Sequence, residues 1–276
     1  MVRMTHHWGY VGAITSAIFF GMAATLNKII LEEVHPLVVA GLIYFVAGIV
    51  LFFVRLSPLH NLVLLAMETP TKTETEIVRI DLGILAIVIL SGAVIAPFLF
   101  LYGLSETTAV NASLLSNTEA LFTVFIAFLF LKERGTGKDY AGILLLVIGA
   151  IFVTTNAKFQ KLTLTREVLG NAFIVGACLF WGIDNNLSKL VSKKRDLVLI
   201  TALKCFIGGG ILLLLSILLK LNFQISLFSI PYLFSVGAFS IGFSILFFLF
   251  ALREIGSMKT GVIFSTSSLF GAAFAF

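Results

Sequence analysis

Three ionisable side chains lie inside apolar stretches: Glu119 in "SLLSNTEALFTVF", Asp184 in "WGIDNNLSK" and Lys204 in "ALKCF". Ionised and facing lipid, each would cost at least about 2.5 to 3.5 kcal/mol, so each is expected to face a protein interior or a watery cavity. There a carboxylate can bind an ammonium or exchange a proton. A lysine can attract an anionic substrate group or simply neutralise a neighbouring carboxylate. Which carboxylate Lys204 approaches is not written in the sequence. Burial and a nearby cation act oppositely on a carboxyl group, so proton coupling stays undecided at this level.

Other polar groups cluster around these three. Asn111, Ser116, Asn117, Thr118 and Thr123 share the segment of Glu119, with Ser116 and Thr123 on its face at helical spacing. Such a stripe suits cavity lining and interhelical hydrogen bonding equally well. Asn27, Asn185, Trp181, Tyr44 and Tyr102 are further candidates, because rings with a polar tip suit amphiphilic substrates. Trp181 stands out beside Gly182 and Asp184. Candidate substrate-binding or coupling residues are therefore Glu119, Asp184, Lys204, Asn27, Asn111, Asn117, Trp181 and Asn185.

The elements that must position them are membrane helices. The chain has 276 residues, of which 59% are hydrophobic and 12% charged, and 28 are phenylalanine. Its mean hydropathy is +1.08. Roughly 20 apolar residues are needed for a spanning helix, and the pattern recurs with short polar breaks. Spans are predicted near 8–31, 36–56, 82–104, 107–131, 139–156, 168–191, 196–219, 230–252 and 258–276. A polar loop at 68–81 separates the second and third, preceded by an expected interfacial helix at 59–67. The apolar run after Arg3 is longer than a signal peptide's h-region, so the first segment is expected to be a retained span.

The net charge of +5 would suggest nucleic acid in a soluble chain, but here the basic residues gather at span ends and no nucleic-acid partner is expected. With the N-terminus inside, thirteen Lys and Arg fall on the cytoplasmic side and five outside, which with Lys204 accounts for all 19. This predicts a cytoplasmic N-terminus in a multi-pass protein of the plasma membrane. Cys178 and Cys205 fall within spans and are read as packed thiols. Ala13, Ala17 and Gly21 form a small-residue packing stripe, and Pro97 predicts a kink in the third span.

The chain repeats itself. "GYVGAITSAIFFGMAATLNK" (9–28) aligns with "GNAFIVGACLFWGIDNNLSK" (170–189), and the register continues through Phe45/Phe206 and Gly48/Gly209. "GLSETTAVNASLLSNTEALFTVFIAF" (103–128) aligns with "ALREIGSMKTGVIFSTSSLFGAAFAF" (251–276). Five helices separate the copies, and an odd number inverts the second copy in the membrane, as in secondary transporters. The predicted organisation is a first repeat at 1–157 with five helices and a second, incomplete repeat at 166–276 with four. An apolar ending at "FGAAFAF" leads to the expectation of a truncated tenth helix.

The segments "TTAVNASLLSNTEALFTVFIAFLFLKER" and "DYAGILLLVIGAIFV", together with the repeated design, resemble the EamA-type members of the drug/metabolite transporter superfamily. The resemblance covers nearly the whole chain, with "AFLFLKER" at 127–134 its most specific piece. It implies an all-α, polytopic membrane helical bundle of two inverted five-helix repeats, with nine helices present. The implied activity is secondary transport, with export expected, of small polar metabolites such as amino acids by alternating access. The family often places a proline near "TEAL", which this chain lacks, leaving the local bend unspecified.

Enzymatic chemistry lacks its parts. All four histidines lie outside span centres, no HExxH or phosphate-binding loop occurs, and no cofactor or metal is expected. Expected partners are a small-molecule substrate, membrane lipid, protons or an exchange substrate, and a second copy in a homodimer. A nucleotide-sugar or phosphate-ester exchanger is the alternative, but it would want several cations where only Lys204 lies deep. A passive channel is the weaker rival.

Overall fold

The computed structural model describes residues 5–58, 79–132, 137, 140–142, 144–145, 148–149, 166–192 and 196–275. The expected interfacial helix at 59–67, most of the polar loop at 68–81 and most of the fifth helix at 139–156 lie outside these residues. The described elements are all helical: α1 Thr5–Ile30, α2 Pro36–Leu56, α3 Arg79–Val88, α4 Ala96–Glu106, α5 Ala109–Leu115, α6 Asn117–Phe130, α7 Arg166–Ser192, α8 Leu197–Leu218, α9 Ser229–Ser235, α10 Ser244–Phe264 and α11 Ser267–Ala275. Two π-helical stretches, Ile89–Ile95 and Val236–Phe243, join α3 to α4 and α9 to α10.

Seven stretches among the described residues are long and apolar enough to cross a membrane. The expected count was nine. The last stretch, Ser229–Phe274, has 46 residues, which at about 1.5 Å each is more than twice the roughly 30 Å hydrocarbon core. Gly256 interrupts it with φ 83° and ψ 167°, a conformation that glycine adopts at little steric cost. Both arms run back along α1 from that point. Ser16 bonds Ser244 and Phe19 meets Phe239 on one arm, while Phe20 meets Phe264 on the other.

Local chemistry sets the helix ends. Pro36 occupies the first turn of α2, where a missing N–H costs nothing, and His35 Nδ1 caps it by accepting from Leu37 N at 3.2 Å. Asp196 caps α8 by accepting from Leu199 N at 3.0 Å, and accepts from Arg55 Nε at 2.8 Å. That pair joins the end of α2 to the start of α8.

α2 and α8 pack antiparallel at close range through glycines. A β-carbon at Gly41 would meet Leu213, and one at Gly48 would lie 2.5 Å from Phe206 N. Gly209 in turn abuts Phe45, and the Phe45 and Phe206 rings stack at 4.7 Å. A similar pairing recurs elsewhere: Gly21 packs on Phe270 as Gly182 packs on Phe122, and Gly9 packs on Glu254 as Gly170 packs on Glu106. Small residues thus bring the backbones together, as expected of helices packed in lipid.

Where one helix was predicted over 107–131, the structure has α5 and α6 meeting at Ser116. The break needs no proline. Ser116 Oγ donates to Ala112 O and Thr118 Oγ1 to Leu115 O, so side-chain hydroxyls bond carbonyls of the preceding turn. Glu119 consequently lies in the first turn of α6, where helix-end amides favour a negative charge.

Candidate functional site

Pro97 shapes one wall of the site. In the π-helical stretch before it, Ala96 N–H reaches back five residues to Ser91 O. The next residue is Pro97, which has no N–H to give, so Gly92 O receives no donor of that ladder. It is served by side chains instead. Trp181 Nε1 donates to it at 3.1 Å and Tyr44 Oη at 3.3 Å. The kink predicted at Pro97 is therefore a widened turn whose free carbonyl fixes two aromatic rings.

Gly92 has a second role. A β-carbon there would collide with the Asp184 carboxylate, so the absent side chain makes the room that Asp184 occupies. Asp184 Oδ2 is the partner of Lys204 Nζ in a buried ion pair, and Asp184 Oδ1 accepts from Ser188 Oγ at 2.9 Å. Both charged residues are almost fully enclosed, at 1% and 2% exposure. The pair answers which carboxylate Lys204 approaches. Lys204 lies seven residues from the start of α8, about 10 Å along it and nearer that end than the middle.

Glu119 sits across the same cavity. It lies near the middle of the span Ala109–Phe130 and is buried. Asn185 Nδ2 donates to Glu119 Oε1 at 2.8 Å and to Thr123 Oγ1 at 3.1 Å, tying α7 to the polar face of α6. Among the described residues, no Lys, Arg or His forms an ion pair with Glu119.

In this conformation the cavity is narrow, with about 30 Å³ open to water, so it is close to occluded and a substrate-sized ligand needs its walls to part. Its ionisable and polar lining is Glu119, Asp184, Lys204, Asn185, Tyr44 and Ser244, and Trp181, three phenylalanines and two isoleucines complete it. Five of the eight candidates read from sequence thus converge: Glu119, Asp184, Lys204, Trp181 and Asn185. Three do not line it. Asn111 Nδ2 donates to Glu167 Oε1 at 2.9 Å, Asn117 Nδ2 donates to Ser268 Oγ at 2.9 Å, and Asn27 is buried away from the lining. Tyr102 packs against Phe173 and is partly exposed.

Phe20, Phe248 and Phe264 were missed. Nothing in a chain with 28 phenylalanines marks these three, although Phe20 adjoins Gly21 of the small-residue stripe of α1. Gly92 was missed as well. Its signal was its place five residues before Pro97.

Comparison with known proteins agrees with this architecture. The model of the EamA-like transporter family matches residues 7–155 and 168–276. An uncharacterized transporter of Methanothermobacter thermautotrophicus is 43% identical over 273 residues, 99% of this chain and 80% of that protein. An uncharacterized transporter of Clostridium kluyveri is 23% identical over 93% of this chain and 80% of its own length. Purine permease 2 of Arabidopsis thaliana is 32% identical over 100 residues, 35% of this chain and 28% of the permease. One solved structure shares the fold with a TM-score of 0.71 at 14% identity, over 95% of this chain and 85% of the other.

Proposed function

This chain belongs to the EamA-like transporter family and is a multi-pass integral membrane protein, and from that premise we propose that it is a secondary active carrier of small, polar, amine-bearing metabolites. Alternating access around the Glu119 cavity is the proposed mechanism. The observation that carries the reading is a buried carboxylate facing a cavity near the middle of a membrane span. Intramembrane ionisable groups on cavities mark substrate and ion pathways. In the proposed cycle Glu119 binds the substrate's ammonium, then exchanges it for a proton or a second substrate.

Reciprocal packing supports two inverted repeats. Gly48 meets Phe206 while Gly209 meets Phe45, and these are the residue pairs that the internal alignment equates. Contacts in which each residue meets the other's counterpart are what a two-fold axis generates. The antiparallel course of α2 and α8 supports an axis in the membrane plane, since a same-way-up duplication would run them parallel. The equivalent contacts of Gly21 and Gly182, and the two π-helical stretches at matching positions, fit the same axis. The proposed setting is the plasma membrane with a cytoplasmic N-terminus, as the distribution of Lys and Arg favours.

Counterflow in proteoliposomes tests the carrier against a passive channel. Labelled substrate should accumulate transiently against an unlabelled internal pool, saturably, and a simple pore gives no such overshoot. Glu119→Gln tests the coupling role. Unchanged transport with unchanged pH dependence would remove Glu119 from the mechanism.

A further inference from the structure

The charge balance of the cavity, on the reading that it is the substrate site, restricts the substrate class. Lys204 does not wait for an anion: its ammonium is bonded to Asp184, whose other oxygen is taken by Ser188. That cluster is neutral as a pair. The Glu119 carboxylate, by contrast, is held by the neutral amide of Asn185 and by no cation among the described residues. With Glu119 ionised, the empty cavity carries one excess negative charge.

The surrounding surface is aromatic. Trp181 meets Phe20 at 5.8 Å, Phe20 meets Phe264 at 5.1 Å, and Phe264 meets Phe248 at 4.6 Å, forming a continuous run of rings along the lining. Tyr44 closes the set. The polar tips of Trp181 and Tyr44 are both occupied by Gly92 O. What these rings have left to offer a ligand is π surface, which attracts cations electrostatically and apolar bodies by burial.

We propose that this cavity selects amphiphilic organic monocations, in which a protonated or quaternary nitrogen is attached to an aromatic or otherwise apolar body, over zwitterions and anions. Once the walls part to admit the ligand, the nitrogen neutralises Glu119, and the body packs against the run from Trp181 to Phe248. An anion would bring like charge toward Glu119 while Lys204, the cation of the lining, is already engaged, and a zwitterion's carboxylate meets the same difficulty. Loss of charge on binding also suits a site that must reorganise inside a membrane, where an uncompensated charge is costly.

Ligands sharing one ring and differing in charge provide the test. Purified full-length protein carrying Trp8→Phe reports Trp181 fluorescence alone, since the chain has two tryptophans and Trp8 lies outside the cavity. Phenethylamine and phenyltrimethylammonium should bind at least about 10-fold more tightly than L-phenylalanine or phenylacetate at neutral pH. Glu119→Gln should abolish that preference and weaken both cations by about 10-fold or more, while Glu119→Asp, which keeps the charge, retains the ranking. Equal or tighter binding of phenylalanine or phenylacetate overturns the proposal, as does a failure of both cations to bind. Cation binding indifferent to Glu119→Gln overturns it too. Counterflow separates this from the underlying reading: saturable exchange of phenylalanine without cation preference leaves the carrier standing and removes the monocation. Unsaturable leak of all the compounds without counterflow removes the carrier, whatever the binding order.

Discussion

Replacing Lys204 by Met should cost at least as much as replacing both members of its ion pair. In the single variant the Asp184 carboxylate remains 1% exposed with only the Ser188 hydroxyl at 2.9 Å to serve it. In Asp184→Asn the Lys204 ammonium remains 2% exposed and faces a neutral amide. Breaking a buried pair from one side typically costs about 3 to 5 kcal/mol, because a charge is left without compensation. Independent sites would then lose about 6 to 10 kcal/mol together. Since the double variant leaves no charge behind, it should be no less stable than either single variant, which implies a coupling of at least about 3 kcal/mol. Equilibrium unfolding in mixed micelles, run as a double-mutant cycle, measures this directly. Losses that add within about 0.5 kcal/mol would mean that the two groups do not form a pair, and the charge accounting of the cavity would fail with it.

Four further outcomes follow. Gly92→Ala should destabilise by about 1 to 3 kcal/mol through collision with Asp184, whereas Gly210→Ala, with open space around the added methyl, should be neutral or stabilising by up to about 1 kcal/mol; thermal unfolding in detergent compares them. Pro97→Ala restores an N–H that can compete for Gly92 O, so the Trp181 indole proton should exchange with solvent about 10-fold faster by NMR in the Trp8→Phe background. Outside the spans, hydrogen bonds from Ser226 and Ser229 hold the Glu33 carboxyl below its usual 4.5, so their stabilisation is complete above that pH and lost only as pH falls through the lower folded value. Burial likewise lowers the His35 imidazole below its usual 6.5, which keeps it neutral and able to cap α2; that contribution is full above pH 6.5 and lost on acidification below it, and His35→Asn, which keeps an N-cap acceptor, should remove this part of the pH dependence of unfolding.

The parts of the site that could be read in sequence are those with a strong energetic signature. Glu119, Asp184 and Lys204 stand out because an ion among apolar residues must have a reason to be there, and the structure brings all three to one cavity. Asparagine carries a weaker signal. Asn185 reaches the site, but Asn111 and Asn117, on the same helical stretch as Glu119, bond Glu167 and Ser268, because an amide satisfies interhelical packing as readily as it lines a cavity. Phenylalanine carries almost none: Phe20, Phe248 and Phe264 differ from their exposed counterparts only in where the helices place them. Nine spans were read from sequence and seven lie among the described residues: most of the fifth falls outside them, and the eighth and ninth form one apolar stretch that Gly256 interrupts.

Pro97 shows how a residue can be readable while its consequence is not. Its missing N–H predicts a disturbed helix, and from sequence the disturbance could be a hinge or a static kink. The structure gives the lost bond an address. Once the ladder shifts to a five-residue return, the carbonyl left over is that of Gly92, and a buried carbonyl without a partner is costly. Trp181 and Tyr44, from two other helices, supply the donors. The same glycine leaves space for Asp184, which in turn engages Lys204. A backbone defect on the third span thus fixes the orientation of both rings and the placement of the ion pair. On the proposed alternating-access mechanism, any motion of that π-helical stretch would shift both rings and the ion pair together, because all of them bear on Gly92.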